Sequence, residues 1–311
     1  MVVLSLFDGI SGAMEAFNRI KIPVTTYYSS EIDKYPIYIS RKRFPNIIQL
    51  GDILNWRKWK IDFSRIDIII AGNPCQPWSM VGKELGIDDA RGMLMWTMMD
   101  ILFYIKESNP NVKFLFENVK MKQEFKEYFD WVIGIESILI NSSLLSGQNR
   151  QRNYWTNIEN ITQPEDKGIL LSQIIGEKLN KATIIGRRLN KKGHREDYNK
   201  NIKITQCLEV RKSNVEKCNC LTTVQKDNVL TSADFGRHPD IYNRNDIYWR
   251  YLTPVEYERL QTFPDNFTAY GINDNGEEIK ISDSRRCSIL GNSFTVDIIS
   301  HILSFINNRK G

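Results

Sequence analysis

At positions 74–79 the chain reads PCQPWS, a single cysteine between two prolines, directly after the apolar run IDIIIAGN. Proline locks its own φ and lacks a backbone donor, so Cys75 is kept out of helix and sheet pairing on a stiff backbone. That setting suits a nucleophilic thiolate, although a thiol so placed also reads as a buried, inert one. Two other groups could join it. Glu117 ends the run KFLFENV, and Arg150 and Arg152 alternate in QNRQR (148–152). In isolation these are a strand-end acid and a solvated basic strand face. In FDGISG (7–12), Gly9 and Gly12 bracket a tight turn into a helix, whose first backbone N–H groups can hold a carboxylate or phosphate. Glu31 closes the next apolar stretch and offers an acceptor for ribose hydroxyls. The turn suggests a nucleoside cofactor, but glycine turns join strands to helices in many folds and a purely structural turn is the default reading; the missing G-x-G-x-x-G pattern argues against a nicotinamide oxidoreductase.

The elements around these residues alternate. Residues 2–7, 25–30, 47–50, 67–72, 113–119 and 136–145 read as buried strands, and GAMEAFNRI, KYPIYISRKRF, MLMWTMMDILFYIKES and QEFKEYFDWVI read as the helices between them. Such alternation predicts an α/β fold: a mostly parallel, Rossmann-like sheet with helices on both faces and ligands at the carboxyl ends of its strands. From about residue 165 to 248 the pattern gives way to a polar, basic, Asn-rich stretch. Helical spacing returns in TPVEYERLQT and in SFTVDIISHILSFINN, with Ser293 as the expected N-cap. The expected layout is a catalytic and cofactor-binding domain over 1–164, an insert over 165–248, and C-terminal helices over 249–311 that complete the first domain.

Composition narrows the class. A chain of 311 residues, 41% hydrophobic and 25% charged, can bury a full core. Its apolar runs fall far short of the roughly 20 residues that span a bilayer, and MVVLSLFDG is no basic leader, so a cytoplasmic protein is expected. Five scattered cysteines suggest reduced thiols, and Cys207, Cys218 and Cys220 lack zinc-site spacing, so no metal is expected. The net charge is +5, yet residues 178–217 hold twelve Lys or Arg against four acids; the basicity is concentrated in one segment, as on a surface facing phosphate or on a solvated loop.

Taken in order, Pro74-Cys75-Gln76, Glu117-Asn118-Val119 and Gln148-x-Arg150-x-Arg152 resemble the motifs of the DNA cytosine-5 methyltransferases. Arg250-Tyr-Leu-Thr-Pro-Val-Glu256-Tyr-Glu-Arg259-Leu-Gln261-Thr-Phe-Pro264 resembles the helix that supports the family's recognition domain, and Gly291-Asn292-Ser293 resembles its last motif. Phe7-Asp8-Gly9 departs from the commoner Phe-Ala-Gly opening and is closer to bacteriophage enzymes and the mammalian de novo methyltransferases. The resemblance covers the chain except for much of 165–248, which it identifies as a target-recognition insert. It implies S-adenosylmethionine as cofactor, bound by Phe7, Asp8, Gly9, Ser11, Gly12, Glu31, Ile32, Asp52, Ile53, Pro74, Asn292 and Ser293.

Carbon 5 of cytosine is a poor nucleophile until a thiolate adds at carbon 6 and makes it enamine-like. The resemblance assigns that addition to Cys75, contact with nitrogen 3 to Glu117, and support of the base at oxygen 2 to Arg152, with Arg150 in the same catalytic set. The base must leave the stacked duplex, so the substrate is expected to be double-stranded DNA with a flipped cytosine. The stretch QPWSMVGKELGIDDARG corresponds to the family's active-site loop, with Gln76, Ser79 and Arg91 toward DNA. In CLTTVQKDN (220–228), Thr222, Thr223, Gln225 and Lys226 are expected to reach base edges, or else to form a polar hairpin that packs the insert. Lys191 and Lys192 are expected on phosphates. The expected enzyme acts as a monomer, with a cognate restriction endonuclease as a possible partner. Two rivals stand beside this reading: a catalytically silent DNA-binding homologue, and a transfer-RNA cytosine-5 methyltransferase. The second lacks support from a Pro-Pro-Cys-Gln or Cys-Phe-Thr element.

Overall fold

The computed structural model describes residues 1–73, 93–210, 216–234, 236–239 and 246–307. Pro74, Cys75, Gln76, Ser79 and Arg91 therefore lie outside the described residues, as do Arg211 and Lys212. Seven strands, β1 (Val2–Leu6), β2 (Thr26–Ser30), β3 (Ile48–Gln49), β4 (Ile68–Gly72), β5 (Lys113–Val119), β6 (Ile138–Asn141) and β7 (Gln151–Thr156), form one sheet in the order β3-β2-β1-β4-β5-β7-β6. The first five pair in parallel, and β7 runs antiparallel to β5 and β6. Helices α1 (Gly12–Arg19), α2 (Lys34–Arg43), α3 (Met93–Ser108) and α4 (Gln123–Ile133) connect them. The expected α/β architecture with a mostly parallel sheet is what the chain adopts.

Successive strand residues point to opposite faces, and here both faces are buried. Val3, Ile68, Ile70 and Leu115 pack with Ala13, Ala16 and Phe17 of α1 on one side. Leu4, Leu6, Ile69, Phe114 and Phe116 pack with Met98, Leu102 and Ile105 of α3 and Phe129 of α4 on the other. This double burial is why the strand segments read as unbroken apolar runs.

Residues 136–145 do not form one strand. β6 stops at Asn141, whose side chain accepts from the Ser143 N–H at 3.1 Å and opens a short 3-10 turn, as Asn-Ser-Ser favours. The chain then passes through α5 (Leu171–Ile175) into a second, antiparallel sheet. Its strands are β8 (Asn180–Arg188), β9 (Ile204–Val210), β10 (Val229–Thr231), β11 (Gly236–Pro239) and β12 (Trp249–Tyr251), ordered β11-β9-β8-β10-β12 around a small core of Ala182, Ile184, Leu208, Val210, Val229 and Ala233. A helix α6 (Pro254–Leu260), a hairpin of β13 (Tyr270–Ile272) and β14 (Glu278–Lys280), and helices α7 (Asp283–Asn292) and α8 (Val296–Ser304) complete the described chain. Thr253 and Glu256 form a capping box at the start of α6, with proline in its first turn. Ser293 is not an N-cap: it ends α7, its hydroxyl donates back to Leu290 O at 2.9 Å, and α8 starts after Thr295.

Among the described residues no helix is long and apolar enough to cross a membrane, and no His, Cys, Asp and Glu cluster could hold a metal ion. Cys207, Cys218, Cys220 and Cys287 are free thiols.

The insert is fastened to the main sheet. Lys217 donates to three carbonyls, Ser143 O at 2.8 Å, Ser146 O at 3.1 Å and Ile169 O at 2.6 Å. Cys218 exchanges backbone hydrogen bonds with Gly147 and Asn149. At Gly291 of α7 an added Cβ would lie 2.3 Å from Thr222 O, so only glycine lets the insert backbone approach α7 this closely.

Candidate active site

The carboxyl ends of β1, β2, β4 and β5 open on a cavity of about 460 Å³, within the range of a small-molecule site. Phe7, Asp8, Gly9, Gly12, Glu31, Ile32, Glu117, Arg150, Arg152, Asn292 and Ser293 all line it. Ser11, Asp52 and Ile53 are not among its lining residues. Ser11 is fully buried, and its Oγ donates to Asp8 Oδ2 at 2.6 Å; Asp52 accepts from the Leu54 N–H, and Ile53 packs in the core.

The first turn is built by its backbone. Phe7, Gly9 and Ser11 have φ of 54°, 59° and 59°, alternate left-handed residues that side chains other than glycine seldom adopt. At Gly9 a Cβ would meet nothing within 4 Å and would project into the open space it borders. Its N–H donates to Glu31 Oε2 at 2.8 Å. Glu31 Oε1 accepts from Ile32 and Asp33, both at 2.8 Å. Burial raises the Glu31 carboxyl above its ordinary range, against those three backbone donors. Asp8 turns inward, accepting from Tyr27, Ser11 and Ser29, so its carboxylate braces β1, β2 and α1. Phe7, Ile32, Ile289 and Phe294 give the cavity its apolar lining.

On the other side, β5 and β7 set the charged pair. Register places Glu117 beside Gly72 of β4 and Tyr154 of β7. Arg152 Nε donates to Glu117 Oε1 at 2.8 Å, and each side chain is 12% exposed. Arg152 Nη1 donates to Gln151 O at 2.9 Å and Nη2 to Cys220 Sγ at 3.6 Å. A guanidinium has five N–H groups, so donors remain for a ligand. Burial would lower the Arg152 pKa, but Cys220 and Glu117 more than offset it and raise it.

Arg150 is employed differently. It is 3% exposed, and its guanidinium donates to Leu221 O at 3.0 Å, Gly291 O at 3.3 Å and Ser293 O at 3.0 Å, joining β7, the insert and the α7–α8 turn. Behind it Gln148 Nε2 donates to Leu260 O and Gln261 Oε1, while Gln261 Nε2 donates to Leu290 O. Gln148, Gln261, Cys220 and Phe294 were not foreseen as site residues. Gln148 and Gln261 stand inside the family-like motifs, Cys220 opens the stretch CLTTVQKDN, and Phe294 lies at the start of SFTVDIISHILSFINN, but their residue types alone give no sign of a place in the site.

The expected DNA-facing residues are spread over the insert. Lys191 and Lys192 are exposed on the turn between β8 and β9. Thr222 Oγ1 donates to Asp227 Oδ2 at 2.7 Å and accepts from Val224 N at 3.0 Å, so it holds a turn that leads into a 3-10 helix over 225–227, not a hairpin. Thr223 and Lys226 are exposed and Gln225 half-buried.

The family model described as C-5 cytosine-specific DNA methylase matches residues 1–308. The chain is 29% identical to Type II methyltransferase M1.ScrFI of Lactococcus lactis subsp. cremoris over 96% of its own length and 76% of that protein. It is 27% identical to Type II methyltransferase M.NlaX of Neisseria lactamica over 99% of both. Among solved structures, the Entamoeba histolytica methyltransferase EhMeth superposes with a TM-score of 0.62 at 17% identity, covering 98% of this chain and 97% of that one.

Proposed function

Because the chain belongs to the C-5 cytosine-specific DNA methylase family, we propose that it methylates carbon 5 of a flipped-out cytosine in particular DNA sequences, through a covalent bond between Cys75 and carbon 6. The observation that carries this reading is the shared cavity in which the Glu117–Arg152 pair faces Glu31 and the α7–α8 turn. Strand β4 borders the same cavity with Gly72 and Asn73 and continues directly into Pro74-Cys75-Gln76.

The cavity fits S-adenosylmethionine: Glu31 offers carboxylate oxygens to ribose hydroxyls, Phe7 and Ile32 offer apolar surface, and Gly9 leaves room where any side chain would intrude. Asn292 and Ser293 close its edge. When bound, this cofactor supplies the electrophilic methyl group. The chain's own residues do the rest. Cys75 adds to carbon 6, Glu117 holds or protonates nitrogen 3 as negative charge reaches the ring, and the remaining Arg152 N–H groups steady oxygen 2. Loss of the carbon 5 proton and then of Cys75 restores aromaticity. Arg150 contributes by holding the insert and the α7–α8 turn in register with Arg152.

Bisulfite sequencing of plasmid DNA and small RNA from cells expressing the chain tests the proposal. Protected cytosines should recur in one short DNA sequence. Protection confined to transfer RNA, or none at all, would overturn it. At the cofactor, Glu31→Ala should weaken S-adenosylmethionine binding by about 1–3 kcal/mol and leave DNA affinity nearly unchanged; unchanged cofactor affinity in calorimetric titration removes Glu31 from the site.

The insert divides affinity from readout. Lys181, Arg187, Arg188, Arg195 and Lys217 are held by acceptors within the protein. Lys178, Lys191, Lys192, Lys200 and Lys203 remain exposed. Replacing Lys191 and Lys192 by alanine should lower affinity for all DNA sequences and flatten log affinity against log salt by about 0.9 for each phosphate no longer neutralised. A changed methylation motif in that variant would instead make these lysines readers of bases.

A further inference from the structure

A short ladder of polar contacts crosses from the main sheet to the insert: Glu117, Arg152, Cys220, Arg150. Glu117 Oε1 accepts from Arg152 Nε at 2.8 Å, and Cys220 Sγ accepts from Arg152 Nη2 at 3.6 Å and from Arg150 Nη1 at 3.4 Å. Glu117 and the arginines belong to β5, β7 and its approach; Cys220 is the insert's contribution. We propose that Cys220 is a positioning residue for methyl transfer, its sulfur fixing the Arg152 guanidinium so that the N–H groups left over are aimed at the target base only when the insert is seated. The proposal rests on the reading of Arg152 as the group that holds oxygen 2.

Geometry gives the sulfur this role. A planar guanidinium tethered at Nε alone can still tilt about that bond. Glu117 at Nε, Gln151 O at Nη1 and Cys220 Sγ at Nη2 hold all three nitrogens and so define its plane. The backbone that carries the sulfur is itself tied down. The next residue donates from Leu221 N to Gln148 Oε1 at 3.3 Å and accepts at Leu221 O from Arg150 at 3.0 Å, and the Thr222 carbonyl is packed against Gly291. A neutral thiol is a weak acceptor. Burial would push the Cys220 thiol up, but the charges of Arg150 and Arg152 outweigh it and hold the group below its ordinary value, while its S–H can donate to Leu221 O at 3.4 Å. Cys218, two residues earlier, is buried and shifted the opposite way, because desolvation dominates there. The difference between the two thiols is the arginine pair.

The test is a double-mutant cycle on single-turnover methyl transfer from tritiated S-adenosylmethionine to plasmid DNA carrying the protected sites. Cys220→Ala should slow transfer about tenfold, with cofactor affinity unchanged and the melting temperature within about 2 °C of wild type. Arg152→Ala should slow it about a hundredfold, and adding Cys220→Ala to that background should change nothing further. Cys220→Ser keeps an acceptor of similar size and should return to within about threefold of wild type. An equal loss in both backgrounds, no loss, or a serine variant as slow as alanine overturns the positioning role alone. An Arg152→Ala enzyme with the wild-type rate overturns the reading of Arg152 and this proposal with it.

Discussion

Cys75→Ser should slow methyl transfer by at least about 10⁴-fold while leaving the melting temperature and S-adenosylmethionine affinity close to those of the parent. A thiol is partly ionised near neutral pH and is intrinsically nucleophilic, whereas a serine hydroxyl is neither without a strong base beside it. Position supports the assignment: Cys75 is two residues along the chain from Asn73, which lines the cavity shared by Glu117, Arg152 and Glu31. Asn73 itself is 5% exposed, and its Oδ1 accepts from Asn118 Nδ2 at 2.9 Å, so the end of β4 is tied to β5 just before the proline. Duplex containing 5-fluorocytosine separates chemistry from folding. Fluorine cannot leave as a proton does, so the parent should form an adduct that survives denaturing electrophoresis and the serine variant none. An equal adduct in both would place the nucleophile on another residue.

How much of this was legible in the sequence depends on what each residue is bonded to. KFLFENV reads as a strand and is β5 over the same seven residues, because its apolar side chains are buried on both faces of the sheet. β7 carries no such signal. Gln151, Arg152 and Asn153 belong to it through hydrogen bonds and the Glu117 ion pair, and these leave no apolar pattern. The same holds for α7, whose Arg286 Nη2 donates to fully buried Glu258 of α6; Glu258 also accepts from Asn266 N, Thr268 N and Thr268 Oγ1, a polar core that hydrophobic periodicity cannot reveal. Charge counting located the basic segment but could not sort it, since Arg187 against Glu209 and Lys217 against three carbonyls count the same as Lys191 in solvent. Motif order brought Glu117, Arg152, Glu31 and Asn292 to one cavity. It gave Arg150 the same standing as Arg152, and only the three carbonyls around Arg150 distinguish a tie between segments from a group with donors free for a ligand.

Glu117→Gln should lower the single-turnover rate by about 10³-fold, with S-adenosylmethionine affinity nearly intact. The substitution preserves size and one acceptor but removes the charge and the proton-transfer capacity. Two consequences follow from the geometry. The amide meets the cytosine with a fixed donor that cannot pass a proton to nitrogen 3 as charge builds on the ring. It also replaces the anion at Arg152 Nε, now held at 2.8 Å, by a neutral acceptor, so one of the guanidinium's three anchors is weakened. If the proton path dominates, Glu117→Asp, which retains the acid but shortens its reach, should remain well below the parent yet above the amide. If the anchor dominates, the aspartate and the amide should be equally slow, and Glu117→Gln should add little to Arg152→Ala. A Glu117→Gln enzyme that transfers methyl groups at the parental rate would exclude both effects and remove Glu117 from the chemistry.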